Sequence, residues 1–432
     1  MLVASYKGAA NVTGACMDIR ILTIGCRLNR AEIESIASTL EERGHRVVAG
    51  DDADVYIVNT CVVTGRSEQK ARQLIRRAIE ASGVRPGSRI IVAGCGAGAP
   101  RREGRVIYVP PSHKAMIPDI IEKNETGWMN DRSDTSFRYA TPVRSSLSRA
   151  HLKIQDGCGN TCTYCIVPLV RGAPRSRDPD DAVDEFRRLI EAGYREIVLT
   201  GVMIGSYRCG DVDLTGLIER ILSISGSFRI HLSSITPSSV TQELIALLKE
   251  DRMVKHLHLS LQSGSDAVLA RMGRHYTSAS FRDMVDRIRG HVPDINLTGD
   301  VIIGFPGETE DDFRATLDTI AAAGLTHVHT FRYSPRPGTP AAAMGDTVPP
   351  FEKAKRSRMV LELSKLQKEE YYRRFDGRVT TFMSERSKKG KTTGFNEYYV
   401  PLEVEGILPR REFFTVTTVF IPGSSVLAGR VV

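Results

Sequence analysis

The pattern of hydrophobic and polar positions divides the first 120 residues into short apolar runs that alternate with amphipathic segments. We interpret the apolar runs as strands and the amphipathic segments as helices, each of which ends at a glycine. Strands that alternate with helices at this spacing predict a small, doubly wound parallel sheet with helices on both faces. The predicted strands are 19–26, 55–60, 89–94 and 105–109, and the predicted helices are 29–43 and 67–81.

A second series of strands and helices follows a polar segment, 123–148, which we interpret as a linker. This series contains six strand–helix repeats over about 180 residues, too few for a closed eight-stranded barrel. It predicts a partial, open barrel, with its functional end at the carboxyl ends of the strands. The predicted strands are 151–156, 195–200, 228–234, 254–261, 295–303 and 327–333.

The last part of the chain begins with a long charged helix, predicted over 351–374. Alternating segments such as 398–405 and 412–420 follow, separated by Gly and Pro, and they predict a small all-β module. The fold class is therefore α/β, with three domains in the order doubly wound sheet, partial barrel and small all-β module. The predicted domains are 17–128, 144–374 and 375–432.

Composition narrows the class of protein. With 41% hydrophobic and 25% charged residues, the chain has the composition of a folded globular protein. No run of 18 apolar residues exists, and the first 17 residues lack the apolar core of a secretory signal, so we expect a cytoplasmic protein. The net charge of +8 suits a polyanionic partner without establishing one. Eight cysteines in such a chain indicate metal ligands or catalytic groups rather than disulfides.

Three cysteines on one short segment are the strongest local signal. Cys158, Cys162 and Cys165 have the spacing C-x3-C-x2-C. Three thiolates on one loop can hold three irons of a 4Fe–4S cluster and leave the fourth iron open. A zinc site usually needs a fourth protein ligand, and His151 lies on the preceding predicted strand at the wrong spacing. The spacing favours an iron–sulfur cluster, with zinc or incidental cysteines as the alternatives.

A second set of cysteines is dispersed along the chain. Cys26, Cys61 and Cys95 each lie at the end of a predicted strand of the N-terminal sheet. Because the carboxyl ends of parallel strands share one edge of the sheet, the three thiols are predicted to converge on a second metal site. The alternative is three small buried residues. Cys16 and Cys209 fit no spacing and are interpreted as non-ligands.

The residues around these cysteines resemble a known family. The segments KIQDGC ending at Cys158 and CIVP beginning at Cys165 are similar to the radical S-adenosylmethionine (SAM) methylthiotransferases. So are TIGCRLN around Cys26 and NTC ending at Cys61. The resemblance extends over about residues 18–432 and implies an N-terminal methylthiotransferase domain, a radical SAM core and a C-terminal TRAM domain, which is a small all-β barrel. Met17 is then an alternative start of the chain.

Within this family, the segment LTGVMIGSY at 199–207 resembles the branch that modifies N6-threonylcarbamoyladenosine beside the anticodon. Other branches commonly have Gln at the position of Val202. Arg208 and Cys209 depart from the branch pattern, which usually has a glycine after Tyr207.

The resemblance implies cofactors, partners and site residues. The expected reaction is methylthiolation of C2 of N6-threonylcarbamoyladenosine at position 37 of tRNA, with two molecules of SAM and two 4Fe–4S clusters. The expected partners are tRNA and an electron donor such as a flavodoxin or ferredoxin, with no membrane. Cys158, Cys162 and Cys165 would hold one cluster, and Cys26, Cys61 and Cys95 the other. The implied SAM-binding residues are Tyr164, Thr200, Gly201, Gln262 and Ile303.

For the strand-end residues of this set, ordinary turn chemistry remains an alternative to SAM binding. In the C-terminal module, Lys388, Lys389 and Lys391 (the lysine turn) are the candidate phosphate contacts. Resemblance to a TRAM domain implies RNA binding there, and the alternative is a solvated hairpin turn.

Three other functions remain open. Two are methylthiolation of isopentenyladenosine in tRNA and of an aspartate in a small-subunit ribosomal protein. The third is a non-catalytic iron–sulfur protein that binds RNA or senses redox state.

Overall fold

The structure is a computed structural model that describes residues 16–123, 127–130, 135–142 and 147–432. The chain divides into two compact units, residues 1–62 with 66–142 and residues 63–65 with 143–432. The extra segment before Met17, apart from Cys16, and parts of the predicted linker lie outside the described residues. No helix in these described ranges has the length and apolar character that crossing a membrane requires.

The first unit contains a six-stranded sheet in the order β2-β1-β3-β4-β6-β5, parallel except for the edge strand β5. Its helices cover both faces. Its elements are β1 (Asp18–Thr23), α1 (Arg27–Glu42), β2 (Arg46–Val48), β3 (Val55–Thr60), α2 (Gly65–Ala81), β4 (Arg89–Gly94), β5 (Arg101–Glu103), β6 (Val106–Val109), a 3-10 turn (Pro111–Met116), α3 (Ile117–Lys123) and a second 3-10 turn (Gly127–Asn130).

Alternation along β3 explains the two covered faces of this sheet. Val55 and Ile57 pack into one apolar cluster with α1 and α3, whereas Tyr56 and Val58 pack into a second cluster with α2. Successive side chains of a strand point to opposite faces, so a fully apolar strand requires helices on both sides. The doubly wound arrangement therefore follows directly from the apolar run at 55–58.

The second unit begins with strands and helices that build a partial barrel. The elements are β7 (Ala150–Lys153), β8 (Gln155–Asp156), α4 (Val167–Arg171), β9 (Arg175–Ser176), α5 (Pro179–Glu191), β10 (Glu196–Thr200), a 3-10 turn (Ile204–Ser206), β11 (Arg208–Cys209), β12 (Val212–Asp213), α6 (Leu214–Leu222), β13 (Arg229–Leu232), a 3-10 turn (Pro237–Ser239), α7 (Gln242–Leu247), β14 (His256–Gln262), α8 (Asp266–Arg271), α9 (Ser278–His291), β15 (Asn296–Ile303), α10 (Glu310–Ala323), β16 (His327–Arg332) and α11 (Pro340–Ala343).

Six of these strands form the barrel wall. The parallel sheets β13-β10-β7 and β14-β15-β16 meet through bridges from Ile230 to Met253 and from Ile235 to Leu259. Leu199, Leu232 and Leu257 belong to the main apolar core of this unit, together with the surrounding helices. Buried polar residues alternate with these leucines along the same strands. The apolar side chains therefore pack between the barrel wall and its helices, and the polar side chains line the interior of the barrel.

A long helix, α12, leads to a closed five-stranded barrel in the order β17-β18-β19-β21-β20. Its core contains Phe382, Leu402, Val416 and Leu427. The elements are α12 (Pro350–Arg373), β17 (Val379–Lys388), β18 (Lys391–Asn396), β19 (Pro401–Glu405), β20 (Phe413–Val419) and β21 (Leu427–Val431).

The small barrel docks on the amino-terminal side of the partial barrel through a buried arginine. Arg149, which directly precedes β7, lies 2.7 Å from Glu196 on β10 and 2.8 Å from Glu385 on β17. Its guanidinium also lies over the rings of Phe395 and Tyr399 at 4.2 and 4.8 Å. Burial disfavours the charge on Glu196, but Arg149, His231 and Arg229 together outweigh burial and lower the pKa of Glu196 to about 2.

The predicted fold class is confirmed: a doubly wound sheet, a partial six-stranded barrel and a small closed β-barrel. Most boundaries differ from the predicted ones by one to three residues, and two of these differences have an evident cause. The first predicted strand ends at Thr23, because Cys26 is already the N-cap of α1. The strand predicted over 151–156 divides in two, because Gln155 and Asp156 pair antiparallel with β9 instead of continuing along β10.

Candidate functional site

The loop that carries Cys158, Cys162 and Cys165 follows β8 through a tight turn. Gly157 has a φ of +71°, and a Cβ there would lie 2.0 Å from the carbonyl oxygen of Ala173. Only glycine fits this close approach, which brings the returning chain beside the loop. The backbone N–H of Cys158 donates to the carbonyl of Gly172 at 3.1 Å, so the loop is closed at its base.

Buried charges fix the entry to the loop. Asp156 is fully buried, and its carboxylate lies 2.6 Å from Lys153 and 2.9 Å from Arg171. The amide of Gln155 donates to the carbonyls of Asp156 and Gly157 and accepts the backbone N–H of Met203 at 2.7 Å. These contacts tie the cysteine loop to the segment that follows β10.

Burial raises the pKa of Cys158, and it raises the pKa of Cys165 to about 11. Both thiols are therefore protonated at neutral pH without a metal, and metal binding would displace their protons. Arg274 donates from Nη1 to Cys162 Sγ at 3.3 Å and from Nη2 to the carbonyl of Ser260 at 3.2 Å. A guanidinium thus bridges the cysteine loop to the end of β14.

The predicted SAM-binding residues lie at the carboxyl ends of three strands and on the cysteine loop. Thr200 and Ile303 are the last residues of β10 and β15, and both are buried. Because Ile303 packs in the main apolar core, its backbone rather than its side chain remains for a ligand. Gln262, the last residue of β14, has a φ of +65°, which is rare for a residue other than glycine.

Gly201 and Tyr164 complete this set. A Cβ on Gly201 would lie 2.8 Å from the carbonyl of Gln155, so the chain passes close to the base of the cysteine loop. Tyr164 packs edge-on against Phe305 at 6.4 Å, and burial raises its pKa well above the ordinary value. The predicted SAM-binding role of all five residues stays a prediction.

The second cysteine set lies at one edge of the N-terminal sheet. Cys61 and Cys95 directly follow β3 and β4, and Cys26 is the N-cap of the helix that follows β1. The strands β1, β3 and β4 are neighbours in the sheet, so the three positions follow adjacent parallel strands. Cys61 and Cys95 are buried and Cys26 is exposed.

The backbone around this set is fixed by side-chain amides and hydroxyls. Asn29 Nδ2 donates to the carbonyl of Thr60 at 2.7 Å, and Asn59 Nδ2 donates to the carbonyl of Asn29 at 3.0 Å. A Cβ on Gly94 would lie 2.7 Å from the carbonyl of Thr60, and one on Gly96 would lie 2.8 Å from the Thr60 hydroxyl. Small residues therefore let three loops approach one another at the edge that carries the cysteines.

Both sets fit an iron–sulfur cluster by the chemistry of their donors. Each supplies three thiols from segments held by buried hydrogen bonds, and three thiolates leave one iron open. His151 does not extend the loop set, because it lies within β7. The position of His151 within β7 therefore agrees with the spacing argument against a compact zinc module.

The lysine turn connects β17 and β18, with Lys388 and Lys389 exposed. Lys391 pairs with Glu403 at 2.5 Å and Glu405 at 3.4 Å. Two of the three lysines therefore present their charge outward, and the third also stabilises the β18–β19 pair. RNA binding by this turn stays a prediction.

Sequence reasoning missed Arg274 and Gln155 as parts of the site. Arg274 lies 112 positions from Cys162, and no local pattern connects them. Gln155 lies within the segment KIQDGC, but only its three hydrogen bonds reveal that it orders two loops.

Two family models match the chain. The radical SAM superfamily matches residues 152–320, and the uncharacterized protein family UPF0004 matches residues 18–108. The first range contains the cysteine loop and most of the partial barrel, and the second contains Cys26, Cys61 and Cys95 (the strand-end cysteines). A solved structure, the radical SAM methyltransferase TsrM from Kitasatospora setae, has a TM-score of 0.52 and 15% identity, with 75% of each chain covered. At that identity the likeness shows the fold alone.

The fold and the cysteine loop together define this protein as a radical SAM enzyme. Enzymes of this class use a 4Fe–4S cluster and SAM. The chain is 37% identical over 399 residues to the threonylcarbamoyladenosine tRNA methylthiotransferase MtaB of Thermotoga maritima, covering 90% of this chain and 91% of that one. It is 36% identical to the protein of that name from Bacillus subtilis, covering 89% of each. It is also 35% identical to the tRNA-2-methylthio-N(6)-dimethylallyladenosine synthase of Geobacter sulfurreducens, covering 85% of this chain and 86% of that one. The chain belongs to the radical SAM tRNA methylthiotransferase family, as the sequence motifs predicted.

Proposed function

We propose that this enzyme methylthiolates C2 of N6-threonylcarbamoyladenosine at position 37 of tRNA, giving the 2-methylthio derivative. The observation that carries the proposal is the pair of cysteine sets on two domains, in a chain that aligns along most of its length with two curated threonylcarbamoyladenosine methylthiotransferases. The cytoplasmic location and a flavodoxin or ferredoxin as electron donor belong to the same proposal.

In this proposal, Cys158, Cys162 and Cys165 hold the cluster that binds SAM, and Arg274 holds the Cys162 sulfur by a charge-assisted hydrogen bond. When bound there, a cluster would supply the electron for reductive cleavage of SAM and hence the radical chemistry needed at the unactivated C2 of the adenine. The strand ends at Thr200, Gly201, Gln262 and Ile303 would orient SAM by backbone and side-chain atoms. Buried Asp156 keeps the loop in place through its two cationic partners.

A second cluster on Cys26, Cys61 and Cys95 would hold the sulfur that is methylated and inserted. Support comes from the adjacent strand ends, from the Asn29–Asn59–Thr60 network, and from the Gly96 N–H, which donates to the Thr60 hydroxyl at 3.0 Å and joins the third loop to the other two. Two molecules of SAM per turnover follow from this division, one as methyl donor and one as radical source.

The segment 202–207 supports the threonylcarbamoyladenosine branch. It lies beside the cysteine loop, because Asn160 Nδ2 donates to Met203 Sδ at 3.1 Å and the backbone of Met203 is held by Gln155. A branch-specific segment at this position is well placed to contact the substrate. The dimethylallyl relatives are nearly as similar to this chain, so isopentenyladenosine is the second candidate substrate.

Mass spectrometry of tRNA nucleosides tests the substrate. The gene is expressed in a strain that lacks its own methylthiotransferases but makes both threonylcarbamoyladenosine and isopentenyladenosine. We expect the 2-methylthio form of threonylcarbamoyladenosine only. Appearance of the isopentenyl product instead favours the second candidate. A methylthiolated aspartate in the small ribosomal subunit favours the ribosomal-protein alternative, and no product with no SAM cleavage favours a non-catalytic iron–sulfur protein.

A Cys162→Ala variant and a variant with Val202→Gln are the matched controls. The first should yield no product, because the loop cluster is lost. The second keeps every cysteine and should alter only the choice of substrate. If Val202→Gln leaves the product unchanged in amount and identity, this position does not determine the substrate.

A further inference from the structure

The interior of the partial barrel contains a row of polar side chains that the cluster and SAM residues do not include. On β10, β13 and β14, His231 Nδ1 lies 3.5 Å from Glu196 Oε1, and His231 Nε2 lies 2.9 Å from His256 Nδ1. The hydroxyl of Thr298 on β15 lies 2.9 Å from His256 Nε2 and 2.9 Å from His258 Nδ1. The row therefore runs across four strands, from a buried carboxylate to His258.

With Glu196 ionised and every imidazole ring neutral, donor and acceptor accounting allows one direction for this row. The ionised Glu196 can only accept, so the His231 proton is placed on Nδ1 and His231 Nε2 accepts from His256 Nδ1. His256 Nε2 then accepts the Thr298 hydroxyl proton, and the same hydroxyl accepts from His258 Nδ1. With neutral rings, the lone pair of His258 Nε2 is left at the open end of the row.

That lone pair faces a carboxylate. Asp300 Oδ2 lies 3.0 Å from His258 Nε2. Two acceptors at this distance repel each other unless a positive charge lies with them. A positive charge shared by the imidazole and the carboxylate, either a proton or a metal ion, removes this repulsion.

A third ligand group lies beside this pair. His329 on β16 is the register partner of Asp300, and one ligand atom from each of His258, Asp300 and His329 lies within 4.8 Å of the others. Among the residues that the structure describes, no other group of three or more His, Cys, Asp or Glu side chains brings its ligand atoms within 4.8 Å of one another. His258 is buried, Asp300 is half-buried and His329 is exposed, so the cluster opens to solvent on the side of β16.

The dimensions suit a transition metal. Metal–ligand bonds of about 2.1 Å at angles between 90° and 109° separate two ligand atoms by about 3.0 to 3.4 Å. The His258–Asp300 distance of 3.0 Å already lies in that range. The Thr298 hydroxyl fixes the His258 ring through its other nitrogen, which is the usual support of a metal-binding histidine.

We propose that His258, Asp300 and His329 bind one divalent transition-metal ion of the zinc or ferrous type, separate from both cysteine sets. Two imidazoles and one carboxylate favour such an ion over Mg²⁺ or Ca²⁺, which prefer oxygen ligands. Three protein ligands leave further positions of the ion open, and the exposed side of the cluster gives water or a substrate oxygen access to them.

Zinc content of the reconstituted holoenzyme tests the proposal. The enzyme with its iron–sulfur clusters is incubated anaerobically with Zn²⁺, desalted in the presence of a weak chelator, and measured for zinc and iron by mass spectrometry. We expect about one zinc per chain in the wild type and less than about a fifth of that in His329→Ala and Asp300→Asn. His291→Ala, which removes a partly exposed histidine at the end of α9, should retain the wild-type zinc.

X-ray absorption at the zinc edge identifies the ligands. The proposed site gives nitrogen and oxygen at about 2.0 to 2.1 Å, whereas zinc misplaced into a cysteine set gives sulfur at about 2.3 Å. A wild-type enzyme without retained zinc, equal zinc in wild type and His329→Ala, or a sulfur shell would each overturn the proposal. Because His329 is exposed, its variant should fold normally, and an unchanged iron content verifies this.

Discussion

Arg274 should set the reduction potential of the cluster on the cysteine loop. Its Nη1 donates to Cys162 Sγ at 3.3 Å from a largely buried position. Burial opposes the charge on Arg274, but Tyr276, Tyr164 and Cys162 outweigh burial and keep its pKa above the usual value. A permanent cation beside a ligand sulfur stabilises the reduced cluster, so Arg274→Met should make the cluster harder to reduce.

The size of the effect follows from distance and dielectric. Two unit charges 3.3 Å apart at an effective dielectric of about 20 interact by about 5 kcal/mol, an upper bound. The added electron spreads over the cluster, and an effective separation of about 6 Å reduces this to about 3 kcal/mol. Water that replaces the guanidinium recovers part of it, which leaves about 1 to 2 kcal/mol. For one electron, this lowers the potential by about 40 to 90 mV.

The assay is a redox titration followed by electron paramagnetic resonance, on a background in which the strand-end cysteines are replaced by Ala so that one cluster remains. Arg274→Lys is the matched control, because it keeps the positive charge and should remain within about 20 mV of the parent. Equal iron content in the three proteins shows that the cluster is loaded. If Arg274→Met titrates at the parent potential, the electrostatic reasoning is wrong.

Four further predictions concern the cysteines, the lysine turn and the domain contact. Cys162→Ala should abolish reductive SAM cleavage, because two thiolates do not hold a cluster with one open iron; product 5′-deoxyadenosine at the parent rate would contradict the assignment. Cys61→Ala should remove about half the iron and end methylthiolation while SAM cleavage remains measurable; unchanged iron would reject the second cluster. Replacing the lysine turn by Ala should weaken tRNA binding and lower the slope of its salt dependence by up to about one per phosphate contact, with a smaller share from the lysine that already pairs with Glu403; identical titrations at two salt concentrations would place the RNA contact elsewhere. Arg149→Met should destabilise the second unit by about 3 to 5 kcal/mol in a denaturant titration, because it removes the cation nearest to the buried carboxylate of Glu196, and added Glu196→Gln should recover most of the loss. Since the pKa of Glu196 is lowered to about 2, the parent keeps this contribution above about pH 4.5 and loses it as the pH falls toward 2, whereas the double variant should lack that part of the acid dependence.

Periodicity and spacing predicted much of this protein. The apolar runs placed four of the six strands of the first sheet and the six strands of the barrel wall within a few residues, because the alternation of side chains is a local property of each strand, whereas the short polar edge strands β2 and β5 were not predicted. The start of α5 is also encoded locally, because the Asp178 side chain accepts the N–H groups of Asp180 and Asp181 and Pro179 occupies the first helical position. The cysteine loop was visible because all three thiols lie within eight positions.

The prediction that the strand-end cysteines lie together required one more assumption, that the three strands are neighbours. The order β1-β3-β4 fulfils it, but a different strand order with the same sequence pattern would have separated the thiols. The boundary at residue 154 was missed for a related reason: Gln155 and Asp156 continue the strand pattern, yet they leave the barrel wall to pair with β9. Pairing partners are chosen by the whole sheet and are not encoded in one segment.

Only the tertiary structure assembled the groups that lie far apart in sequence. Arg274 reaches Cys162 across 112 positions, Arg149 reaches Tyr399 across 250, and the histidines of the barrel interior come from separate strands. Each of these side chains has the same local pattern as an ordinary polar strand or turn residue. Their partners are determined by strand order and register, so the sequence by itself determined the elements and the thiols, and the fold decided which charges and histidines meet.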